Sequence, residues 1–123
     1  MRRLIAFPCE GETLVGTLDE ADGETGLLIV SGGNEVRAGA HRGMAQLAAR
    51  LAARAIPVFR FDRRGVGDST GPNGGWSRSA PEVHTAATCF RVEAPQLKRL
   101  IALGNCDAAT ALAAFGQFAN LPR

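Results

Sequence analysis

The sequence predicts a three-layer α/β/α domain built on a mostly parallel sheet. Three observations carry that reading. Apolar runs of strand length recur at 26–30, 57–61 and 99–103. Segments with helical periodicity alternate with them, which is the signature of parallel strands joined by crossovers. Ahead of both, residues 1–18 read as a β-hairpin, so the order is hairpin, β, α, β, α, β, α.

In the hairpin, "RRLIAF" and "TLVGTL" flank the turn-forming "CEGE". The polar Asp-Gly loop "EADGET" follows, and then "GLLIV", the uninterrupted apolar run of a strand buried on both faces. Over 41–55 the period changes: Met44, Leu47, Ala48, Leu51 and Ala55 form one stripe, with Arg42, Arg50 and Arg54 off it. Pro57 closes that helix and "PVFRF" is the next strand. Beyond the Gly/Pro/Asn-rich loop 65–77, Ser79 stands three before Glu82, a capping-box spacing. Ala87, Phe90, Ala94 and Leu97 continue a helical face, with Pro95 ending the helix early. "RLIAL" (99–103) is the last strand and Ala108–Phe118 the last helix.

Composition bounds the function classes. The 123 residues fit a single domain, 1–123, and 46% hydrophobic with 21% charged residues is a globular balance. The 14 Lys+Arg and 12 Asp+Glu are interspersed and no Tyr is present, which argues against a nucleic-acid partner. The apolar run in "MRRLIAFPCE" is too short for a signal core or a membrane span, so a cytoplasmic protein is the expectation. Cys9, Cys89 and Cys106 form no CxxC pair and the two histidines, His41 and His84, are far apart, so no metal site is indicated.

Three loops begin at the carboxyl ends of the predicted parallel strands, where open α/β sheets collect their ligands. They are "SGGNEVRAGAHRG", "DRRGVGDSTG" and "GNCDA". In the last, Gly104 and Ala108 are the small residues that a strained strand-to-helix elbow at Cys106 requires on either side. The unpaired N–H groups of a helix start favour an anion and so lower the pKa of a thiol at Cys106. The N–H of Asp107 then helps to hold an oxyanion, with Gly33 or Asn34 of the first loop as second donor. The Asp107 carboxylate is suited to orient water or cap the helix. The plainer alternative makes Cys106 a small buried hydrophobe, which the pentapeptide alone favours. In the middle loop Asp62 and Arg64 are placed to tie the turn to neighbouring backbone, with Gly65 and Gly67 freeing it to bend and Ser69 closing the motif. A phosphate-binding reading of those glycines lacks a third spaced glycine and any GKS or GKT. His41 and His84 are the imidazoles available as bases, and each reads more simply as a polar helix residue.

Taken in order, Ser31-Gly-Gly-Asn34, Asp62 to Ser69 and Gly104-Asn-Cys-Asp-Ala108 resemble the N-terminal half of an α/β-hydrolase. More narrowly, "SGGNEVRAGAHRG", "FDRRGVGDS" and "GNCDAA" are similar to the hydrolases associated with the exosortase A system, found beside exopolysaccharide and protein-sorting genes. The resemblance implies hydrolysis of a small-molecule ester or thioester by a cysteine nucleophile, with no cofactor. It also implies an acid and a histidine beyond the nucleophile helix, whereas 17 residues follow Cys106 and contain no histidine, and no acid beyond Asp107. The expectation is therefore a truncated hydrolase fold with an incomplete triad. Its alternatives are a catalytically inactive binding or assembly module, or a nucleotide binder using Gly65–Gly67. In the family's strand order 99–103 lies inside the sheet, so here it forms an apolar edge, and a homodimer through that edge is expected.

Overall fold

The computed structural model describes residues 1–104 and 107–115. Strands β1 (Arg2–Cys9) and β2 (Glu12–Asp19) form the hairpin, in antiparallel register from Arg2↔Asp19 to Cys9↔Glu12. Glu10 and Gly11 turn the chain with φ of 48° and 81°, the two-residue turn whose twist suits a right-handed hairpin. Strands β3 (Thr25–Val30), β4 (Val58–Phe61) and β5 (Arg99–Gly104) complete a sheet of order β1-β2-β4-β3-β5. β3 pairs in parallel with both β4 and β5, while β2 runs antiparallel to β1 and β4. Only β2 therefore opposes the common strand direction, and the sheet is mostly parallel.

Alternation along the strands sends side chains to two cores. Helix α1 (Gly43–Ala52) covers one face, where Ala48 packs with Ile29 and Val58 beside Leu27, Leu47 and Leu51. Helices α2 (Ala80–Glu93) and α3 (Asp107–Phe115) cover the other. There Leu28, Val30, Phe59 and Phe61 meet Val83, Ala87, Phe90 and Ala108. The rings of Phe59 and Phe90 lie 5.7 Å apart, as do those of Phe7 and Phe59, within the range of favourable aromatic pairs.

Two expectations are corrected. The helix read over 41–55 is shorter at both ends: His41 and Arg42 have φ of 52° and 60° in a tight turn before α1, and Ala55 has φ of 69° beyond it. The Ser79–Glu82 capping box does not form. Ser79 sits at the N-cap, yet its Oγ donates to the Trp76 carbonyl at 2.6 Å. Glu82, only 2% exposed, instead accepts the Arg64 N–H at 2.6 Å. A buried loop amide left unpaired costs more than a frayed helix end open to water, so the carboxylate serves the loop.

Among the described residues β5 is the edge strand on the side away from the hairpin, and its residues Ile101 and Leu103 are 41% and 39% exposed. Such an edge is a template for strand pairing.

Candidate functional site

The loops after β3 and β4 and the start of α3 meet at the carboxyl end of the parallel strands, because β4, β3 and β5 are neighbours in the sheet. Asp62, the first residue after β4, is fully buried and organises this end. Its Oδ1 accepts the Arg37 N–H at 2.7 Å, and its Oδ2 accepts the Asp68 N–H at 3.0 Å and pairs with the Arg37 guanidinium. One carboxylate thus joins the loop after β3 to the loop after β4. Gly67, at φ 54°, lies so close to that carboxylate that a Cβ there would collide with it.

Ser69 closes the same loop onto the hairpin: its Oγ donates to the Asp62 carbonyl at 2.6 Å and accepts the Val15 N–H at 2.9 Å. Arg64 donates through Nη2 to the Arg78 carbonyl at 2.7 Å and pairs with Glu10 at 3.0 Å. The N–H groups of Gly65, Val66, Asp68 and Ser69 are all spent inside this assembly. A phosphate cradle needs such groups turned outward, so the geometry disfavours the nucleotide reading.

Glu82, beneath the Arg64 backbone, carries a pH signature. Burial pushes its carboxyl above the ordinary 4.5, while the Arg64 N–H bond and the charges of Arg63 and Arg64 pull it back. A raised folded-state pKa means stability that is full below about 4.5 and is lost as pH rises through the folded value. Glu82→Gln keeps an oxygen for the Arg64 N–H but removes the titration. Its urea midpoint is expected to gain on the wild-type midpoint between about pH 4 and pH 7; two parallel profiles would refute this.

The expected site residues fall as follows. Gly33, with φ 53°, donates its N–H to Asp107 Oδ1 at 2.7 Å. The same oxygen receives Arg63 Nη1 at 3.1 Å, and that nitrogen also reaches the Ser31 carbonyl at 3.3 Å. Asn34 is exposed, and its Oδ1 accepts from Asn73 Nδ2 at 2.8 Å. Gly104 packs under α3: a Cβ there would stand 3.0 Å from the Cβ of Ala108 and 2.9 Å from Leu112 Cδ1. Cys106, the expected nucleophile, and Asn105 lie outside the described residues. His41 and His84 are both exposed.

Arg63 is the residue that sequence reasoning missed. At 1% exposure it is as buried as the core phenylalanines. A buried arginine has to be paired, and its partner here is Asp107, distant in sequence, which no local pattern announces.

The other cysteines are poor nucleophiles. Cys9 is buried and its thiol is raised, mainly by burial. Cys89 is pushed to about 11 by burial, with Glu93 adding to the effect. Among the described residues no cluster of three His, Cys, Asp or Glu is arranged to hold a metal ion, and no helix is long and apolar enough to cross a membrane.

Next to the loops is a narrow cleft of about 30 Å³, lined by Val30, Ser31, Glu35, Met44, Leu103 and Gly104. A depression of about 600 Å³ opens at the opposite end of the sheet between Met1, Glu20, Asp22 and Gln96. Another of about 450 Å³ lies beside the loops, lined by Thr17, Arg37, Asp62 and Asp68 among others. Volume alone thus does not single out one end. The loops locate the site better, because convergent donors confer specificity and open surface volume does not.

No family model and no curated protein sequence matches the chain. Solved structures do. An α/β hydrolase from Penicillium sp. sh18, GrgF, superimposes with a TM-score of 0.80 at 24% identity, covering 96% of this chain and 42% of its own. The esterase Pf2001 of Pyrococcus furiosus gives 0.77 at 18% identity, covering 93% and 45%. XC6422 of Xanthomonas campestris, a lidless α/β serine hydrolase, gives 0.77 at 16%, covering 98% and 57%. The fold is that of α/β hydrolases, and the chain spans about half the length of these structures.

Proposed function

We propose that this chain carries the nucleophile half of an acyl-hydrolase site, with Cys106 as nucleophile and a small-molecule ester or thioester as substrate. One observation supports this above the rest: the loop after β3 is hydrogen-bonded to Asp107, the residue that follows Cys106 and opens α3. An acyl-transfer site needs that proximity of nucleophile and anion-binding amides.

In the proposed reaction the Cys106 thiolate attacks the carbonyl carbon and the oxygen becomes an oxyanion held by loop N–H groups. The carbon–oxygen or carbon–sulfur bond then breaks, the leaving group takes a proton, and an acyl-cysteine remains. Water hydrolyses that thioester, releasing a carboxylic acid and restoring the thiol. Gly33 and Asn34 supply the donor from the β3 loop. Gly104 and Ala108 allow the elbow, and Asp62, Arg64 and Ser69 hold the supporting loop. No cofactor enters this chemistry. The similarity of the three motifs to exosortase A system-associated hydrolases extends the proposal to that functional setting.

The test is p-nitrophenol release from short-chain p-nitrophenyl esters by the wild type and Cys106→Ala. The wild-type rate is expected to exceed the variant's by at least about tenfold, less than a full triad gives because general acid–base assistance alone is worth about 10²–10⁴-fold. Equal rates would refute it.

A second reading, an inactive binding or assembly module, is favoured by specific features: the Gly33 N–H is already occupied, the adjacent cleft is small, and both histidines are exposed. Equal rates in the ester assay would leave this reading standing. Independently of either reading, we propose that a second copy of the chain pairs with the β5 edge. Size-exclusion chromatography is expected to show a dimer that Ile101→Lys converts to monomer, since an edge lysine opposes strand pairing. A monodisperse wild-type monomer at high concentration would overturn this.

A further inference from the structure

Two donors from different loops converge on one anionic oxygen. The Gly33 N–H lies 2.7 Å and Arg63 Nη1 3.1 Å from Asp107 Oδ1. These are the distances at which preorganised donors hold an oxyanion. The Arg63 side chain is 2% exposed, and its Nε and Nη2 have no partner among the described residues. A buried guanidinium with spare donors is a costly feature, and it is directed at the place where an anion sits. The Asp107 side chain, by contrast, is 25% exposed, on the solvent side of the pair.

We infer that Gly33 N–H and Arg63 Nη1 form a small-carboxylate site whose resting occupant is the chain's own Asp107. Oδ1 stands where an external carboxylate oxygen, or the oxyanion of a reacting acyl group, would bind. The ligand must displace Asp107, so the resting chain holds its own site closed. Arg63 is fixed at the end of β4 and cannot follow, because its Nη1 is also held by the Ser31 carbonyl. Asp107 is able to leave: rotation about its side-chain bonds carries the carboxylate towards water. The donor pair stands on this geometry alone, and only the identification of the external ligand as a carboxylic acid product rests on the proposed acyl chemistry.

The experiment is an acetate titration of the ¹⁵N-labelled chain, followed at the Gly33 amide, with sodium chloride at matched ionic strength as control. Asp107→Ala vacates the site, and its Gly33 amide is expected to shift saturably with acetate. The apparent Kd should be at least about tenfold tighter than in wild type, because an intramolecular competitor has been removed. Asp107→Asn retains a neutral acceptor and guards against a variant that fails to fold. Its Gly33 amide should move upfield from the wild-type position, and acetate should shift it at lower concentration than in wild type. An acetate response at Gly33 no stronger in the variants than in wild type, or equal shifts spread over surface amides, would overturn the inference. Acetate binding without ester turnover would retain this site while removing the hydrolase reading. Cys106-dependent turnover without acetate binding would do the reverse.

Discussion

Asp62→Ala should remove a large share of the fold's stability, about 3–5 kcal/mol. The wild-type carboxylate is fully buried and satisfies two backbone N–H groups and the Arg37 guanidinium. Removing it leaves the Arg37 guanidinium with only the Thr17 hydroxyl at 2.9 Å and Asp68, whose side chain is 69% exposed and 3.0 Å away, and strands both amides. Breaking a buried pair by deleting one partner typically costs about 3–5 kcal/mol, against a total stability of about 5–15 kcal/mol for an ordinary domain. Asp62→Asn preserves shape and one acceptor, so its loss should be smaller. Urea denaturation measures both: the alanine midpoint should fall by far more than the asparagine midpoint, with unchanged slope. If the two variants lost stability equally and by under about 1 kcal/mol, Asp62 would be no organising centre.

Gly104→Val is the second large effect. No positive φ forces glycine here; the constraint is space. A Cβ at this position meets Leu112 Cδ1 at 2.9 Å and the Ala108 backbone carbon and Cβ at 3.0 Å. The second methyl-bearing branch of valine has nowhere to go unless α3 lifts from β5. Overpacking of this kind costs about 1–3 kcal/mol, equivalent to a fall in Tm of about 4 °C or more per kcal/mol in a small domain. The same displacement would part Asp107 from Gly33. The variant should therefore lose both thermal stability and the wild-type position of the Gly33 amide resonance, while Gly104→Ala loses less of each. A valine variant with unchanged Tm and unchanged Gly33 resonance would show that this close packing is dispensable.

These two positions also show what the sequence makes legible. The strands were readable because runs such as "GLLIV" and "PVFRF" are buried on both faces and need no partner to be recognised. The small residues at 104 and 108 were singled out by a local steric rule for an elbow whose centre lies outside the described residues, and what the structure shows is their close packing between β5 and α3. Helix ends were less so. His41, Arg42 and Ala55 leave helical geometry through turns that their side chains do not announce, and Glu82 abandoned its expected cap for the Arg64 amide. Propensity and capping are worth tenths to about one kcal/mol, and tertiary pairing outweighs them. The site was least legible where it depends on distant partners. Asp62 was expected to tie its loop to nearby backbone, and does, but its bond to Arg37 joins two loops. Arg63 and Gly33 meet Asp107 only through the strand order β4-β3-β5. Nothing local to "DRRG" or "GNCDA" encodes that encounter.

The measurement that bears most directly on the proposed chemistry is intact-mass spectrometry of the chain after brief exposure to p-nitrophenyl acetate, followed by peptide mapping. Cys9 and Cys89 supply internal controls, since burial raises both thiols above their ordinary value. The predicted result is one acetyl group per chain, mapped to Cys106 and absent from Cys106→Ala. Acetylation spread over lysines and the N-terminus, or equal labelling of all three cysteines, would contradict a nucleophile at Cys106.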